Sequence, residues 1–346
     1  MPAPDAELSS TGLDRILEHN AGDFTAVLEA GVSLAEAQRG FAAEGQMLAL
    51  NPPLGEGDAA TVGGVFATAD AGPLRHRYGG ARDLIVGITV ALADGTLARA
   101  GGKVIKNVAG YDLAKLFTGS FGTLGLIVDV SVRLHPIPEG TTTAIAEADD
   151  PDALGRAAHA LAHSPLETES LDVRWADGAG AVLARFGGAA SGDQAGAAQE
   201  VLQEATGDAG EVSVAEDNQE LWDRQRAGQR SGAGAVVRVS GLQARLSETL
   251  RATERAGGAL VGRAAQGLSW IALPAEDSEE LIGAIERIRA ELRPSPCVVR
   301  EASAEVRERL DVWDEQDPAR LELSRRLKER FDPGGMCNPG RYVGGI

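Results

Sequence analysis

The chain has 346 residues, and its 51 acidic and 33 basic side chains give a formal net charge of −18. That length favours two domains over one small core, and the negative charge argues against nonspecific nucleic-acid binding, which needs lysine and arginine to neutralise phosphates. No apolar run approaches the ~20 residues that span a bilayer, and two cysteines support neither a disulfide framework nor a protein-ligated iron–sulfur cluster.

The first fifty residues have the pattern of short strands and a helix. Phe24–Ala30 alternates in the way that is typical of a half-buried strand. Ser33 is suited to an N-cap, and Glu36 three residues later completes a capping box. We therefore expect a helix from this point to about Glu44.

Three glycine-rich segments follow within ninety residues: Asn51–Gly72, Lys106–Asp112 and Gly119–Ile127. Glycines allow backbone N–H groups to approach a ligand closely, and successive glycine turns can form concave nests for anions. The pattern predicts a large, extended cofactor held between loops.

An apolar strand, Leu84–Leu92, lies between these segments. Asp94-Gly95 after it predicts a hairpin, because a type I′ turn needs the positive φ that these residues tolerate. The sequence His135-Pro-Ile-Pro138 then ends regular structure, since proline removes a donor and restricts its predecessor. We place the first domain boundary near residue 139.

From residue 141 to about 300, strands alternate with amphipathic helices. Leu281, Ile285, Ile288 and Leu292 share one helix face, which predicts a helix packed on a sheet. The region has the pattern of an α+β domain, with two related α/β halves as one reading. The strand candidates are Thr142–Ala148, Ser170–Trp175, Ala181–Phe186, Ala235–Ser240 and Ser269–Leu273.

Residues 303–331 have a helical pattern again. Leu323, Leu327 and Phe331 recur at i, i+4 and i+8, which is typical of a helix. Asp332-Pro-Gly-Gly then ends the helix.

The glycine segments carry a resemblance to a known family. Thr61–Gly72, which reads TVGGVFATADAG, and Gly119–Ile127, which reads GSFGTLGLI, resemble the FAD-binding domain of the vanillyl-alcohol oxidase/PCMH flavoprotein superfamily. Four further segments are similar to the FAD-binding subunits of bacterial glycolate oxidases: Leu13–Asn20, Gly45–Leu48, Lys106–Leu113 and Lys328–Arg341.

This resemblance implies an α+β fold in three parts. They are a PCMH-type FAD-binding domain truncated in its N-terminal part (1–139), an α+β cap domain (140–302), and C-terminal helices and a tail that pack back toward the flavin domain (303–346). The implied cofactor is noncovalent FAD. The implied cofactor-binding residues are Pro53, Gly57, Thr61, Gly63, Gly64, Ala67, Thr68, Gly72, Gly110, Gly119, Ser120, Gly122, Thr123, Gly125, Ile127 and Asn338.

Particular roles follow for some of these residues. Backbone N–H groups around Gly63, Gly64 and Thr68 are expected to face phosphate or flavin carbonyl oxygens, and the Thr123 hydroxyl is expected to bond the cofactor. Asn338 has two readings, a cofactor contact or a structural turn.

Basic and aromatic residues near the loops leave further alternatives open. Arg75, His76 and Arg77 form a compact basic cluster that could receive a carboxylate or pyrophosphate, or simply be solvated. Lys106 could place a cation near an anion or lie on the surface. Tyr111 could be a site residue or a half-buried aromatic residue whose hydroxyl is satisfied nearby.

The chain departs from the family pattern near its start. Relatives carry an earlier phosphate-binding loop of the R-G-G-T kind, whereas residues 1–10 contain no glycine. The resemblance then implies either a start placed too late or a subunit that binds FAD weakly or not at all, and it implies no histidyl attachment of the flavin.

The resemblance implies that glycolate, or a related D-2-hydroxy acid, is oxidised to glyoxylate with electrons passed to an acceptor other than NAD. The implied partners are a longer FAD-linked oxidase subunit and an iron–sulfur subunit. We expect a cytoplasmic protein that meets the inner face of the membrane only through that complex. Two alternatives stay open: a non-catalytic assembly subunit with a degenerate flavin site, and a self-sufficient FAD-linked oxidase of D-lactate or an alditol. No catalytic residue or metal ligand is assigned.

Overall fold

A computed structural model of the chain describes residues 6–103, 112–275 and 277–346. The chain divides into two compact units, one formed by the described parts of Met1–Ile137 and Gln316–Ile346, the other by those of Pro138–Glu315. The chain therefore leaves the first unit, builds the second, and returns to the first.

The first unit contains a five-stranded antiparallel sheet in the order β1-β2-β6-β4-β5. It also contains a separate two-stranded antiparallel sheet of β3 and β7. Its elements are β1 (Ile16–Asn20), β2 (Thr25–Glu29), α1 (Leu34–Ala42), β3 (Gln46–Met47), α2 (Val62–Thr68), α3 (Arg75–Tyr78), α4 (Ala81–Leu84), β4 (Ile85–Ala91), β5 (Leu97–Gly101), α5 (Ala114–Phe117), β6 (Leu126–Arg133) and β7 (His135–Pro136).

Local signals account for several of these elements. Ser33 caps α1, and its hydroxyl accepts a hydrogen bond from the Glu36 N–H at 3.0 Å. The predicted β4–β5 hairpin is present, and Gly95 has φ of 83°, but Asp94 lacks positive φ, so the turn is not the expected type I′. The core of the unit gathers side chains of β2, β4 and β6 with those of α1 and α2, among them Leu28 and Phe41.

The second unit is built on one eight-stranded antiparallel sheet in the order β11-β8-β10-β9-β13-β14-β12-β15. Its elements are β8 (Thr141–Ala148), α6 (Pro151–Ala162), β9 (Ser170–Ala176), β10 (Ala179–Gly187), α7 (Ser191–Thr206), β11 (Gly210–Glu216), α8 (Gln219–Ala227), β12 (Ala235–Ser240), α9 (Leu246–Arg255), β13 (Ala259–Arg263), β14 (Leu268–Leu273), α10 (Ser278–Leu292), β15 (Cys297–Glu301) and α11 (Ala304–Arg309).

This sheet consists of two halves with the same topology. The first half runs β8-α6-β9-β10-α7-β11 and the second runs β12-α9-β13-β14-α10-β15, so each is a βαββαβ module of the ferredoxin-like kind. The halves join where β9 pairs with β13. The sequence reading of two related halves agrees with this arrangement.

The two faces of the second sheet differ in their cover. Alternate residues of the central strands, such as Val173, Val182 and Val237, form one core with α6, α7, α9 and α10. The opposite residues Ala181 and Leu183 pack on Leu221 and Trp222 of α8. The predicted face of α10 is confirmed, because its four apolar residues are all buried.

A buried ion pair crosses the junction of the two halves. Arg263 of β13 lies opposite Asp172 of β9, and its Nη1 donates to Asp172 Oδ2 at 2.6 Å with both side chains fully buried. Arg263 also donates to Gln229 and lies over the Trp270 ring at 4.9 Å. Burial raises the pKa of Asp172 to about 6, against the opposing attraction of Arg263.

The expected helix over 303–331 is in fact two helices. α11 ends at Arg309, and a new helix, α12 (Pro318–Phe331), begins after Asp317, whose side chain accepts a hydrogen bond from the Ala319 N–H at 2.8 Å. Proline at the first helical position favours a helix start there. Leu323, one of the apolar residues whose spacing indicated the second helix, is 57% exposed.

The compact units divide at 137/138 and 315/316, whereas the sequence boundaries lie at 139/140 and 302/303. Residues 303–315 go with the second unit because Val306 of α11 is fully buried in its core. α12 and the tail after it belong to the first unit, which is the predicted return of the C-terminal segment. The roles assigned to the three segments stay predictions.

Candidate functional site

Two of the three glycine segments meet in the first unit. The Gly119 N–H donates to the Phe66 carbonyl at 2.9 Å, and the Phe121 N–H donates to the Ala67 carbonyl at 2.8 Å. The loop of residues 119–125, here called the glycine loop, therefore lies along the C-terminal half of α2. The third segment cannot be placed, because Lys106, Gly110 and Tyr111 lie outside the described residues.

The start of α2 is satisfied from within the protein. Thr61 caps the helix, and its Oγ1 accepts a hydrogen bond from the Gly64 N–H at 3.1 Å. The Gly63 N–H donates to the Ala30 carbonyl at 2.7 Å. The expectation that these two N–H groups face phosphate or flavin oxygens is therefore wrong. The hydroxyl of Thr68 is likewise used inside the helix, where it donates to the Gly64 carbonyl at 2.9 Å.

Two of the glycines are required by chain packing. A Cβ on Gly72 would lie 1.8 Å from the Asn51 carbonyl oxygen, and a Cβ on Gly63 would lie 2.6 Å from the Ala30 Cβ and 2.9 Å from the Ala30 carbonyl oxygen. At Gly57, by contrast, a Cβ would meet nothing within 4 Å. Part of the glycine pattern of this segment is therefore explained by close packing of the chain against itself.

The glycine loop has an unusual backbone. Phe121 has φ of 55°, and Gly119, Gly122 and Gly125 have φ of 81°, 69° and 152°. A non-glycine residue in this region costs about 1–3 kcal/mol and persists where its surroundings hold it, often at ligand sites. The loop is thus held in a shape that most sequences would not adopt alone.

The hydroxyl groups of two residues of the glycine loop differ in their hydrogen bonding. The Thr123 hydroxyl donates to the Ser120 carbonyl at 2.7 Å, and Thr123 is 1% exposed. The hydroxyl thus closes the turn through its donor, and its hydrogen bond to a cofactor stays a prediction. The Ser120 Oγ is buried and has no hydrogen-bond partner within the described part of the chain.

The C-terminal segment reaches the glycine loop at two points. Asn338 Nδ2 donates to the Phe121 carbonyl at 2.9 Å, and Lys328 Nζ donates to the Thr123 carbonyl at 2.8 Å. The structural-turn reading of Asn338 thus has a specific partner, while its contact with a cofactor stays a prediction. Sequence reasoning missed Lys328, whose only signal is its position four residues before Asp332.

A cavity of about 360 Å³ borders the glycine loop within the first unit. Its size lies in the range of small-molecule sites. Lys115, which forms an ion pair with Asp112 at 3.2 Å, contributes charge to its wall. The loop side of the cavity is lined by Thr118, Gly119, Ser120, Thr123 and Leu124, and the opposite side includes Arg82, Ser324, Leu327, Tyr342 and Ile346.

The other predicted site residues lie at several positions around α2 and β6. Ile127 is a core residue of β6, and a Cβ on Gly125 would lie 2.9 Å from the Ala91 carbonyl oxygen. Pro53 is buried in the segment before α2. Cofactor contacts of these residues stay predictions.

The basic cluster lies on α3. Burial and the neighbouring Arg77 lower the pKa of His76. His76 is therefore neutral at neutral pH, and the positive charge of the cluster comes from its two arginines. Its role as an anion site stays a prediction.

Other site chemistry is absent from the part of the chain that the structure describes. No group of three or more histidine, cysteine, aspartate or glutamate side chains is placed to hold a metal ion there. Among the described residues, no helix is both long and apolar enough to cross a membrane.

Two family models match the chain. One is described as an FAD binding domain and covers residues 7–101, and the other is described as the C-terminal domain of FAD linked oxidases and covers residues 312–342. The first match lies in the first unit, and the second covers α12 and most of the tail. α2 lies in the first matched range and the C-terminal segment in the second, and both contact the glycine loop.

Curated relatives agree with these matches. The chain is 38% identical to glycolate oxidase subunit GlcD of Bacillus subtilis over 41% of its own length and 30% of that protein. It is 36% identical to glycolate oxidase subunit GlcE of Escherichia coli over 36% of each chain. The chain thus spans about a third of the length of these relatives. An uncharacterized FAD-linked oxidoreductase of Mycobacterium tuberculosis is 27% identical over 97% of this chain and 81% of its own.

Solved structures extend the likeness to nearly the whole chain. An alkyldihydroxyacetonephosphate synthase superposes with a TM-score of 0.67 at 16% identity, over 95% of this chain and 67% of that one. The glucooligosaccharide oxidase of Acremonium strictum gives a TM-score of 0.66 at 15% identity, over 94% and 78%. This chain has the PCMH-type FAD-binding fold. Its cofactor is FAD, and the predicted α+β fold class is confirmed.

The residues around the glycine loop fit FAD in two respects. Within the described residues the Ser120 hydroxyl has no hydrogen-bond partner, and a buried hydroxyl without a partner is uncommon unless a ligand or ion completes it. A Cβ on Gly64 would meet only the Thr61 Oγ1, at 3.1 Å, so this helix face leaves room for a close approach. Ser120 and the backbone of the glycine loop are therefore the groups that would hold FAD.

Proposed function

We propose that this protein is the FAD-binding subunit of a dehydrogenase that oxidises a short 2-hydroxy acid, with glycolate as the leading substrate and glyoxylate as its product. The observation that carries the proposal is the meeting of the two glycine segments with the C-terminal segment in one unit. The likeness to two glycolate oxidase subunits supports the substrate class, and so does that to a D-2-hydroxyglutarate dehydrogenase of Stutzerimonas stutzeri.

The chemistry of such a reaction divides between cofactor and protein. Bound FAD supplies the acceptor for the hydride of the hydroxyl-bearing carbon. The chain's own residues hold the cofactor: Ser120 offers a hydroxyl, and the strained glycine loop fixes the backbone beside it. No side chain of this chain is proposed as the base that takes the hydroxyl proton.

We propose that electrons leave through partner subunits to an acceptor other than NAD. The chain has two cysteines, one buried and one partly buried, so an iron–sulfur cluster, which needs about four ligands, would belong to another protein. The proposed partners are a longer FAD-linked oxidase subunit and an iron–sulfur subunit. The complex would work in the cytoplasm and meet the membrane only through those partners.

One observation favours a second candidate, a non-catalytic assembly subunit with a degenerate flavin site. The N–H groups of Gly63 and Gly64 are already used inside the protein, so the start of α2 offers less to a phosphate than the sequence pattern implies. In this case the PCMH-type fold would serve to bind the partner subunits.

Anaerobic flavin reduction separates these candidates. The purified chain is titrated with FAD and its visible spectrum recorded, first alone and then with the co-expressed partner subunits. Glycolate, D-lactate and D-2-hydroxyglutarate are added in turn. We expect a noncovalent flavin spectrum that glycolate bleaches when the partners are present. A chain that stays colourless with added FAD would establish the assembly role, and bleaching without partners would establish a self-sufficient enzyme.

A further inference from the structure

The turn after α12 is organised around one buried carboxylate. Asp332 is 1% exposed. Its Oδ2 accepts hydrogen bonds from Lys328 Nζ at 2.6 Å and from the Cys337 N–H at 2.7 Å, and its Oδ1 accepts one from the Met336 N–H at 3.0 Å. Burial alone would raise the pKa of Asp332, but these hydrogen bonds together outweigh it and hold the pKa below its ordinary value. The carboxylate is therefore ionised at neutral pH.

The ammonium group of Lys328 uses all its donors inside the protein. Nζ donates to Asp332 Oδ2, to the Cys337 carbonyl at 2.8 Å and to the Thr123 carbonyl at 2.8 Å. An ammonium group has three donors, and this side chain is 13% exposed. Lys328 thus ties the C-terminal turn to a carbonyl 205 residues earlier in the chain. This residue pair and its contacts are here called the clasp.

Asn338 adds a second tie to the same loop. Its Nδ2 donates to the carbonyl of Phe121, the residue of the loop whose backbone has positive φ without being glycine. A Cβ on Gly122 would lie 2.7 Å from Asn338 Nδ2, so glycine at 122 is what admits the amide. The strained part of the loop is therefore held from the tail on both sides, at residues 121 and 123.

We propose that Lys328 and Asp332 are positioning residues that hold the glycine loop in its FAD-binding conformation and thereby set the affinity of the first unit for FAD. The inference rests on the proposed function, because it takes FAD as the ligand of this loop. Without the ammonium group, the Thr123 carbonyl loses its donor and the carboxylate of Asp332 loses its cation. The strained loop is then free to relax into conformations that bind FAD less well.

Substitution of Lys328 by methionine tests the clasp, because methionine keeps an unbranched apolar stem and removes all three donors. Arg326→Met, a loss of one positive charge at an exposed position of the same helix, is the matched control. If the competent loop conformation falls to about a tenth of the population, the apparent dissociation constant rises about tenfold. We measure that constant by flavin fluorescence on the whole chain, at a temperature where each variant is folded.

Two further readouts separate positioning from a general loss of stability. Amide hydrogen exchange of residues 119–125 in the chain without FAD reports the loop itself, and visible circular dichroism of the bound flavin reports its surroundings. We expect faster exchange confined to that loop and an altered flavin band in Lys328→Met. We expect neither in Arg326→Met.

The outcomes decide between the claims. If the wild-type chain binds FAD and Lys328→Met matches it in affinity and exchange, the clasp has no positioning role. If the wild-type chain binds no FAD, the proposed function and the affinity claim fail together, and equal exchange in the two chains would also overturn the loop claim. Should Lys328→Met fail to fold, Asn338→Ala carries the test, with an expected two- to fivefold weakening of FAD binding and faster exchange at residue 122.

Discussion

The buried pair of Asp172 and Arg263 lets a stability prediction be worked from the structure. We expect the double variant Asp172→Leu/Arg263→Met, which replaces the pair with apolar residues, to leave the second unit as stable as the wild type or more stable at pH 7. Both side chains are fully buried, so neither charge keeps its hydration. Replacing such pairs by apolar residues is often neutral or stabilising by about 1–4 kcal/mol.

The magnitude follows from the pKa of Asp172. Desolvation raises it from 3.8 to about 6, and one pKa unit corresponds to about 1.4 kcal/mol, so the ionised carboxyl carries a penalty of about 3 kcal/mol at pH 7. Because the folded-state pKa lies above the unfolded one, the folded state binds the proton more tightly between these values. The free energy of unfolding of the wild type should therefore rise as pH falls from 7 toward 4.5. The double variant should lack this rise.

Urea unfolding followed by tryptophan fluorescence measures the free energy of unfolding of the second unit selectively. All four tryptophans of the chain lie in the second unit, at positions 175, 222, 270 and 313. The control is the ion pair of Arg174 and Glu147 in the same sheet, which has a similar distance of 2.7 Å but is 37% and 55% exposed. Its removal in Arg174→Met/Glu147→Gln should change the free energy of unfolding by less than about 1 kcal/mol.

The same data can refute the reasoning. A double variant that is more than about 3 kcal/mol less stable than wild type, together with a wild-type stability that does not change between pH 7 and 5, would mean that Asp172 is ionised throughout. The attraction between Asp172 and Arg263 would then exceed the cost of burying both charges.

Three predictions concern the first unit. Thr61→Ala removes the cap of α2 and leaves the Gly64 N–H without its acceptor, so we expect a loss of about 1 kcal/mol in a thermal melt; an unchanged melting temperature would contradict it. Gly72→Ala places a Cβ against the Asn51 carbonyl, and we expect loss of FAD binding with the tryptophan transition of the second unit intact. Ser120→Ala should leave the melt of the FAD-free chain within about 0.5 kcal/mol, since the hydroxyl has no hydrogen-bond partner among the described residues, but weaken FAD binding severalfold in a fluorescence titration.

Local sequence signals predicted most of the regular structure. Ser33 and Glu36 located the start of α1, and the strand predicted at Ala235–Ser240 has the observed bounds. β11, β13 and β15 were missed. β11 pairs only with β8, and its residues are intermediate or exposed: Val212 packs against the core, but Val214 is 39% exposed.

Predictions failed where a distant partner decides the outcome. The helix of Leu323 and Phe331 is present, but eight residues rotate these two side chains by about 80°, and Leu323 is exposed while Phe331 packs against the core. The N–H groups of Gly63 and Gly64 were read as ligand contacts, but their acceptors come from Ala30 and from the Thr61 side chain. No pattern within the tail could indicate that Lys328 meets a carbonyl 205 residues away.

The discontinuous first unit has a consequence for synthesis on the ribosome. Residues 316–346 supply α12, the clasp and Asn338, yet they follow the entire second unit in the chain. While about 180 further residues are translated, the first 137 residues therefore lack their C-terminal partners. During that time the Thr123 and Phe121 carbonyls have no donors from Lys328 and Asn338. A chain whose translation stops before Lys328 would contain all the strands of the second unit. Its glycine loop, however, would lack the hydrogen bonds from Lys328 and Asn338.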